Sequence, residues 1–452
     1  MLWTSSDLAA ALGTKVGFAA GGVSIDTRSL QPGDLFVALT DQRDGHEFVQ
    51  AALNKGASGA LIRKGALDLP PGAPVIKVDD TLKALGDLAR FARQRFTGKL
   101  VAVTGSVGKT STKEMLRAAL SACAVVHAAD ASFNNHIGVP LTLARMPAGA
   151  DYAVIEIGMN HPGEIAPLAQ LSRPDVALIT NVAAAHIGHM GSIKAIAAEK
   201  AAIFTGLAKG GTAVIDLDAA HADVLLAAAQ NAHILRIGQD AELLSAQLGA
   251  DGSDLVVRLG AHTIELHLAA PGAHMARNAV MVLAACQALG ADPAQAALGL
   301  AQFAPGSGRG ARQRILGGSA VLLDESYNAS SLSIRAALAL LALIPARRHI
   351  AVLGDMLEMG DFGPAEHAGL APDVMKHATL LFTCGPLMRH LHQSVPTSLA
   401  VTHAEDAAHL APLVAAAIRP GDAILVKGSL GSNMRLVVKA LTTITPENRD
   451  VV

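Results

Sequence analysis

Thr104-Gly105-Ser106-Val107-Gly108-Lys109-Thr110 is the most informative stretch of this chain, because it follows an apolar segment, residues 100–103, and opens a segment of helical character. Its glycines permit a tight turn, and backbone N–H groups at a helix N-terminus bind phosphate groups. Lys109 would reach the terminal phosphates and Thr110 would ligate magnesium. The loop is a short T-G-x-x-G-K-T variant of the general pattern, since Val103 stands where a further glycine is usual. It predicts nucleotide binding, with a glycine turn that binds nothing as the alternative.

Length and composition predict a multidomain protein with ample core material. The chain has 452 residues, 51% of them hydrophobic, and a mean hydropathy of +0.37. About 150 residues per domain is usual, so roughly three domains are expected. No stretch approaches the ~18 uninterrupted apolar residues that span a bilayer. The N-terminus lacks the pattern of a signal peptide, and the cysteines, Cys123, Cys286 and Cys384, have no CxxC spacing. We therefore expect a cytoplasmic protein without stable membrane insertion.

The charge balance argues against a nucleic-acid partner. The net charge is −2, no run of lysine or arginine occurs, and aromatic residues make up only 3% of the chain. Nucleic-acid binding normally requires a basic surface and often aromatic stacking platforms. Small polar ligands are the expected partners.

Apolar strands alternate with helical segments along most of the chain. From about residue 98 to residue 310 this alternation predicts a mostly parallel, doubly wound sheet. Period-2 runs at residues 254–259 and 263–268 predict an antiparallel edge. Residues 1–96 predict a small α/β unit, and the segment after residue 310 predicts a second doubly wound domain. The glycine-rich link PGSGRG, residues 305–310, is interpreted as a hinge or a ligand loop.

Glu156 lies inside the apolar run 152–158, which predicts a strand buried on both faces. An isolated buried carboxylate is costly, so a cation or a metal should lie beside it. The carboxyl ends of strands in open α/β sheets bind ligands. Glu156 is therefore predicted to bind magnesium, with a buried salt bridge as the alternative.

Lys200 falls within the apolar stripe of a predicted helix, four residues from both Ile196 and Phe204. Its side chain could snorkel to solvent, lie beside phosphates, or react with carbon dioxide to form an anionic carbamate. His186 and His189 follow the next strand and would emerge at the same sheet edge. A lone histidine is more often structural, and of the two His186 is the better candidate metal ligand.

Other polar residues stand at the expected ligand edge. Asn134 and Asn135 precede a helix, where amides either orient anionic groups or cap the helix. Asp324 and Lys427 end two strands of the last predicted domain.

With these residues placed, the chain resembles the Mur ligase family over essentially its full length. The segments that carry the resemblance are SIDTR (24–28), FVAL (36–39), TGSVGKTSTKE (104–114), NNHIGVP (134–140), EIGMNH (156–161), AAH (184–186), ESYNA (325–329), GDMLEMG (354–360) and VKGS (426–429). In this order they are highly specific.

The resemblance implies a UDP-MurNAc-binding domain at residues 1–96, an ATP-binding domain at 97–312 and a Rossmann-like domain at 313–452. It implies ATP and magnesium, two ions being expected, and a monomeric enzyme of peptidoglycan synthesis. In the implied reaction, ATP phosphorylates the terminal carboxylate of UDP-MurNAc-tripeptide. The amine of D-alanyl-D-alanine then attacks the acyl phosphate.

The resemblance also implies roles for individual residues. Lys109 would hold the β- and γ-phosphates, Thr110 and Glu156 would bind one magnesium, His186 would help bind a second, and Lys200 matches a carbamoylated lysine. The nucleotide-binding positions are Thr104, Gly105, Ser106, Val107, Gly108, Lys109, Thr110, Ser111, Asn278, Arg309, Tyr327 and Asn328. The substrate-binding positions are Ser24, Thr27, Arg28, Asn134, Asn135, Asn160, His161, Asp324 and Lys427.

Three alternatives remain at this stage. A sibling ligase that adds a single amino acid usually carries an Asp-Asn-Pro-Arg segment, which this sequence lacks. A nucleotide-dependent switch would be expected to carry a base-reading Asn-Lys-x-Asp motif, whereas Asn54-Lys55-Gly56-Ala57 has no aspartate. A catalytically silent scaffold would not be expected to retain Lys109, Glu156 and Lys200 together.

Overall fold

The computed structural model describes residues 1–70 and 72–444, which form three β-sheets with flanking helices. The predicted third domain extends to residue 452, and its residues 445–452 lie outside the described part. The α/β class predicted from the alternating pattern is confirmed. Within residues 1–70 and 72–444, no helix has both the length and the apolar character needed to cross a membrane.

The first sheet is parallel, with the strand order β1-β2-β3-β4. Its strands are β1 (Gly22–Ser24), β2 (Asp34–Val37), β3 (Gly59–Arg63) and β4 (Val75–Val78). The helices of this region are α1 (Ser5–Leu12), α2 (Val49–Asn54), which follows a 3₁₀ turn at Gly45–Phe48, and α3 (Thr81–Arg95). Asp80 begins α3 by accepting the N–H groups of Leu82 and Lys83. Helix α1, which was not predicted, begins with a capping box between Thr4 and Asp7.

The second sheet carries the predicted phosphate loop after β5, which lies between β8 and β7. Its strand order is β13-β12-β11-β10-β9-β8-β5-β7-β6, and β11 to β13 form the antiparallel edge that period-2 runs predicted. The strands are β5 (Lys99–Thr104), β6 (Val126–Ala128), β7 (Tyr152–Glu156), β8 (Val176–Ile179), β9 (Thr212–Asp216), β10 (His233–Ile237), β11 (Ala241–Leu248), β12 (Ser253–Leu259) and β13 (His262–Leu268). Val103 pairs with Glu156, so the loop after β5 begins beside that carboxylate.

Helices cover both faces of this sheet. They are α4 (Lys109–Ser121), α5 (Gly138–Ala144), α6 (Ile165–Ser172), α7 (Ile187–Met190), α8 (Ile193–Ala201), which runs into a 3₁₀ turn at Ala202–Gly206, α9 (Ala222–Ala228), α10 (Ala273–Ala288) and α11 (Pro293–Ala301). Strand β5 is buried from Leu100 to Thr104, so apolar contacts on both faces fix the loop that follows.

The third sheet has the order β14-β15-β19-β16-β17-β18, with β14 antiparallel to β15. Its strands are β14 (Ala311–Ile315), β15 (Ala320–Glu325), β16 (Arg348–Gly354), β17 (Leu380–Cys384), β18 (Ala400–Ala404) and β19 (Asp422–Lys427). Its helices are α12 (Ser331–Ala342), α13 (Gly363–Ala368), α14 (Ala371–His377), α15 (Met388–Ser394), α16 (Ala407–Ala417) and α17 (Arg435–Thr442), with 3₁₀ turns at Leu316–Gly318, Gly360–Phe362 and Leu430–Ser432.

The helical pattern of the last predicted domain predicts a helix over residues 404–418, and its start at Ala404 is wrong. Ala404 ends β18, an edge strand that pairs with β17, and α16 begins only after Asp406, whose carboxylate accepts the N–H of His409. The predicted domain boundary after residue 312 falls within β14.

Candidate active site

A cleft of about 690 Å³ opens between the carboxyl edges of the second and third sheets. One wall carries the phosphate loop after β5, and the other carries residues that follow β15, β16 and β19. Predicted site residues that line it are Ser106, Val107, Gly108, Lys109, Thr110, Ser111, Asn134, Asn135, Glu156, Asn160, His186, Asn278, Arg309, Tyr327, Asn328 and Lys427. Residues that were predicted from their position at strand ends and residues that were predicted from motifs therefore line the same cavity.

The phosphate loop is held in shape from behind by the segment after β8. Thr180 Oγ1 donates to the Val107 carbonyl at 2.6 Å, and the Asn181 amide both accepts from and donates to the Val107 backbone. Gly105 has φ +153°, and a Cβ there would lie 1.9 Å from Thr180 Oγ1, so only glycine fits. Gly108 precedes α4 at φ 85°, and no side chain caps the helix. The first N–H groups of α4 therefore remain available to an anion.

Lys109 lies over this loop, with its Nζ donating to the Gly105 carbonyl at 2.7 Å. Burial lowers the pKa of Lys109, and the nearby charge of Arg309 adds to this effect, while Glu156 opposes it. A desolvated cation with one backbone partner is suited to exchange that partner for phosphate oxygens.

Glu156 receives two hydrogen bonds on one carboxylate oxygen. Thr110 Oγ1 donates at 3.0 Å and Asn134 Nδ2 at 2.7 Å, both to Oε1. Its other oxygen, Oε2, is buried without a hydrogen-bond partner in the part of the chain that the structure describes. Such an orphaned carboxylate oxygen next to a threonine hydroxyl fits a magnesium ligand set.

No group of three or more His, Cys, Asp or Glu side chains in residues 1–70 and 72–444 is arranged to hold a metal ion by itself. Magnesium often binds through one or two carboxylates and completes its shell with substrate phosphates and water. Thr110 and Glu156 beside the phosphate loop suit that mode of binding.

Arg309 reaches from the glycine-rich link to the phosphate end of the cleft. Its Nη2 donates to Ser132 Oγ at 2.8 Å, and Ser132 Oγ is hydrogen-bonded to Thr110 Oγ1 at 3.0 Å. The guanidinium lies 3.8 Å from the ring centroid of Tyr327. The link therefore places Arg309 in the wall of the cleft, where the ligand-loop interpretation of its composition requires it.

His186 meets the opposite wall of the cleft. Its Nδ1 is buried against Glu358 Oε2 without a hydrogen bond of standard geometry among the described residues, and this contact is the main cause that lowers the pKa of Glu358. His189 does not join this pair. Its ring stacks on His161 at a centroid distance of 4.8 Å, and its Nδ1 lies 3.2 Å from the Asn160 carbonyl.

Lys200 is 1% exposed on α8, which excludes snorkelling to solvent. Burial, reinforced by the charge of Lys109, lowers the pKa of Lys200 well below its usual range. No hydrogen bond or ion pair joins its amine to another of the described residues. The lowered pKa of Lys200 therefore favours the neutral form of its amine.

Asp324 and Lys427 have partners within the third sheet. Asp324 accepts the N–H of Gly308 at 2.9 Å and thereby shapes the loop that carries Arg309. Lys427 is 2% exposed and pairs with Glu325 at 3.0 Å, and it also donates to the Asn328 carbonyl at 2.9 Å.

The predicted amides divide between two tasks. Asn134 orients Glu156, whereas Asn135 Oδ1 accepts the N–H groups of Ile137 and Gly138 and caps α5. Asn278 is 6% exposed and lies against Gly108 of the phosphate loop.

The N-terminal candidates lie outside the cleft. Ser24 is buried and donates to the Asp26 carbonyl at 3.0 Å, while Arg28 is exposed and pairs with the Asp26 carboxylate. The Thr27 carbonyl accepts from Lys55. Among the described residues that line the cleft, none of these three predicted sugar-binding residues occurs.

Comparison with known proteins resolves the family. Three family models match this chain: "Mur ligase family, catalytic domain" at residues 20–93, "Mur ligase middle domain" at 103–286 and "Mur ligase, glutamate ligase domain" at 311–430. The chain belongs to the Mur ligase family. The resemblance inferred from sequence motifs is thereby confirmed.

Individual Mur ligases match this one along nearly its whole length. A protein named UDP-N-acetylmuramoyl-tripeptide--D-alanyl-D-alanine ligase from Synechocystis is 36% identical, covering 94% of this chain and 92% of its own. A protein of the same name from Rickettsia prowazekii is 31% identical, covering 97% and 99%.

Two crystal structures of Mur ligases have the same fold. The MurF structure from Acinetobacter baumannii has a TM-score of 0.88 at 26% identity and covers 98% of this chain and 99% of its own. That of MurF from Thermotoga maritima, in complex with ADP, has a TM-score of 0.79 at 23% identity, covering 93% and 97%.

Sequence reasoning missed two side chains at the site of this Mur ligase. Ser132 bridges Thr110 and Arg309, and Glu358 pairs with His186. Ser132 lies two residues before Asn134 in the loop at the ligand-binding edge, and its polar side chain was the signal that could have identified it. Glu358 lies in GDMLEMG, one of the segments that carried the resemblance, but no role was derived for its carboxylate.

Proposed function

We propose that this chain joins D-alanyl-D-alanine to UDP-N-acetylmuramoyl-tripeptide in an ATP-dependent ligation, giving the UDP-MurNAc-pentapeptide used in peptidoglycan synthesis. Relatives that carry this activity in their names match it at 31% and 36% identity over more than nine-tenths of the chain. One observation carries the proposal. Lys109, the uncapped N-terminus of α4 and the Glu156 carboxylate, whose Oε2 has no hydrogen-bond partner among the described residues, lie in the same cleft. The same activity contributes to cell wall formation and hence to cell shape and division.

The chemistry needs charge neutralisation more than proton transfer. An oxygen of the tripeptide carboxylate attacks the γ-phosphorus, the bond to the β-phosphate oxygen breaks, and ADP leaves. The dipeptide ammonium group loses a proton to water or a base, and the neutral amine attacks the acyl carbon. The tetrahedral intermediate loses a second proton from nitrogen, and inorganic phosphate leaves with the electron pair of the broken C–O bond. Lys109 and the N–H groups of α4 would stabilise negative charge on the transferred phosphoryl group.

Magnesium, when bound, neutralises phosphate charge and orients the reacting oxygens. Thr110 and Glu156 would hold one ion, and His186 would help to hold a second. The orphaned Glu156 Oε2 supports the first assignment.

Lys200 is proposed to be carbamoylated. Carbamate formation requires the neutral amine to attack carbon dioxide, forming an N–C bond and releasing a proton. The lowered pKa of Lys200 favours that neutral form. The product would be an anion near the phosphate end, able to assist metal binding through its oxygens.

The remaining assignments stay part of the proposal. The phosphate loop from Thr104 to Ser111, with Asn278, Arg309, Tyr327 and Asn328, would bind the nucleotide. The substrates would be bound by Ser24, Thr27, Arg28, Asn134, Asn135, Asn160, His161, Asp324 and Lys427. We also propose the domain division 1–96, 97–312 and 313–452, a monomeric state and a cytoplasmic location.

The proposal is tested by phosphate release from ATP and magnesium, with UDP-MurNAc-tripeptide and D-alanyl-D-alanine supplied together and singly, and with mass spectrometry of the product. Release should require both substrates and yield the pentapeptide mass. Lys109→Ala should abolish release, while Lys83→Ala, which alters an exposed lysine of α3, should not. A product formed only with a single amino acid, or release with neither substrate, would refute the assignment.

A further inference from the structure

Two loops from different sheets dock against each other at the histidine end of the cleft. The first loop, residues 186–190, follows β8, and the second, residues 354–360, follows β16. His186 pairs with Glu358, and the Gly188 N–H donates to the Glu358 carbonyl at 3.1 Å. A Cβ at Gly188 would lie 2.7 Å from Gly360 N, so the backbones touch. The contact thus combines an ion pair, a hydrogen bond and close backbone packing.

Both partners of the ion pair have strained backbone conformations. His186 has φ 59° and Glu358 has φ 64°, values in the left-handed region that side-chain-bearing residues seldom adopt. Such strain costs of the order of 1–3 kcal/mol per residue and persists where the surroundings impose it, often at functional sites. Two facing residues that share this feature indicate that the contact is held by the docked loops.

The pairing determines which nitrogen of His186 is free. Nδ1 is buried against the Glu358 carboxylate without a hydrogen bond of standard geometry among the described residues, and a proton on Nδ1 is what that carboxylate could accept. In a neutral imidazole the other nitrogen, Nε2, then keeps its lone pair for a metal. Histidines that bind metals almost always donate their second N–H to such a partner, which fixes the ring orientation and raises its basicity.

We propose that Glu358 is a positioning residue that orients His186 for the second magnesium, and that it does so only when the third sheet is docked on the second. The proposal rests on the proposed function, because the role of His186 as a metal ligand belongs to that function. Its consequence is that affinity for one of the two ions depends on a side chain from the opposite wall of the cleft. Domain docking and completion of the metal site are then a single event.

Manganese tests this directly, because its binding can be followed by electron paramagnetic resonance without turnover. The full-length protein is titrated with Mn²⁺ in the presence of the β,γ-methylene analogue of ATP. The wild type should show two classes of bound ion, and His186→Ala should remove one of them. Glu358→Ala should weaken that same class by about 10- to 100-fold and leave the other unchanged. Glu358→Gln, whose amide oxygen still accepts a hydrogen bond, should recover part of the loss.

A second variant tests docking without altering either side chain. Gly188→Ala introduces a methyl group against Gly360 and should weaken the same Mn²⁺ class as Glu358→Ala. Asp361→Asn is the matched control, because it removes an exposed carboxylate near Glu358 and should change neither class. Thermal unfolding verifies that each variant is folded.

The outcomes separate this proposal from the proposed function. If the wild type makes the pentapeptide product and Glu358→Ala keeps both Mn²⁺ affinities, the positioning role is refuted while the ligase stands. A single Mn²⁺ class in the wild type also refutes it. If the selective loss occurs but no pentapeptide forms with any substrate pair, Glu358 positions His186 in an enzyme of different activity.

Discussion

Replacing Lys200 with methionine should make the protein more stable and inactive. The side chain is 1% exposed, and no partner among the described residues satisfies its amine. Leaving a polar group buried without a hydrogen bond costs about 1–3 kcal/mol. Methionine has a similar length and no polar hydrogen. In buffer freed of carbon dioxide, where Lys200 carries no carbamate, Lys200→Met should therefore raise the unfolding free energy by roughly that amount. Loss of the carbamate should abolish product formation at the same time.

The increase in unfolding free energy of Lys200→Met over the wild type should become smaller as the pH rises. Burial lowers the pKa of Lys200 in the folded state below its usual 10.5, so the unfolded chain binds more protons between the two values. Wild-type stability should therefore rise with pH across that window, up to about 10.5. Lys200→Met lacks this titration, and its advantage over the wild type should shrink as the pH approaches 10.

Urea denaturation at several pH values, followed by circular dichroism, measures these effects. Lys200→Ala removes the methylene groups as well and should be about 2–5 kcal/mol less stable than Lys200→Met. Short carboxylic acids, such as acetate, should restore part of the activity of Lys200→Ala. Lys194→Met makes the same change at an exposed position of α8 and should stay within about 0.5 kcal/mol of the wild type. A Lys200→Met protein clearly less stable than the wild type would show that the amine is satisfied, and the reasoning would fail.

Other contacts give further expectations. Gly105→Ala places a methyl group against Thr180 at a φ of +153° and should lower the free energy of unfolding by about 2 kcal/mol or more, as urea denaturation would show. It should also weaken ADP binding in calorimetry, and unchanged binding would contradict the loop geometry. Arg309→Lys keeps the positive charge but loses the contact between the planar guanidinium and the Tyr327 ring, so the KM for ATP should rise roughly 3- to 30-fold. An unaltered KM would exclude a role for this contact in ATP binding. Burial lowers the pKa of His367 in the folded protein. Below pH 6.5 the unfolded chain therefore binds a proton that the folded protein does not yet bind. The free energy of unfolding should fall by up to about 1.4 kcal/mol for each pH unit below 6.5. His367→Gln should show a shallower slope in urea denaturation between pH 5 and 8.

The sequence was informative wherever a residue's role follows from its own strand and loop. The apolar run that became β5 and the glycines after it predicted the phosphate loop, because both depend on local backbone geometry. Glu156 was predictable for a similar reason, since a carboxylate in a strand buried on both faces requires a partner. The register that pairs Val103 with Glu156 then places both at the same edge.

Edge elements were less predictable. Strand β14 has the sequence Ala-Arg-Gln-Arg-Ile, which lacks the apolar run of a central strand, and it forms by pairing with β15 alone. Strand β18 is likewise an edge strand, and its last residue, Ala404, was predicted to begin the helix that became α16. At an edge, hydrogen bonding to one neighbour compensates for a weak pattern, and a single sequence does not show that neighbour.

The amides show a different limit. Asn134 and Asn135 are adjacent and chemically identical, yet one orients Glu156 and the other caps α5. Which task each performs depends on the direction of its side chain in a turn, and that direction is fixed by the position of β7. Composition and spacing leave both interpretations open.

Contacts between walls of the cleft could not be predicted at all, and they carry much of the site. Arg309 reaches Ser132 at the phosphate end, and Glu358 reaches His186 at the other end. Each pair joins segments far apart in the chain whose meeting depends on how the second and third sheets dock. Because both ends are completed by the same docking, a change that only separates the walls should weaken nucleotide and metal binding together, whereas a change at one pair should affect only its own end.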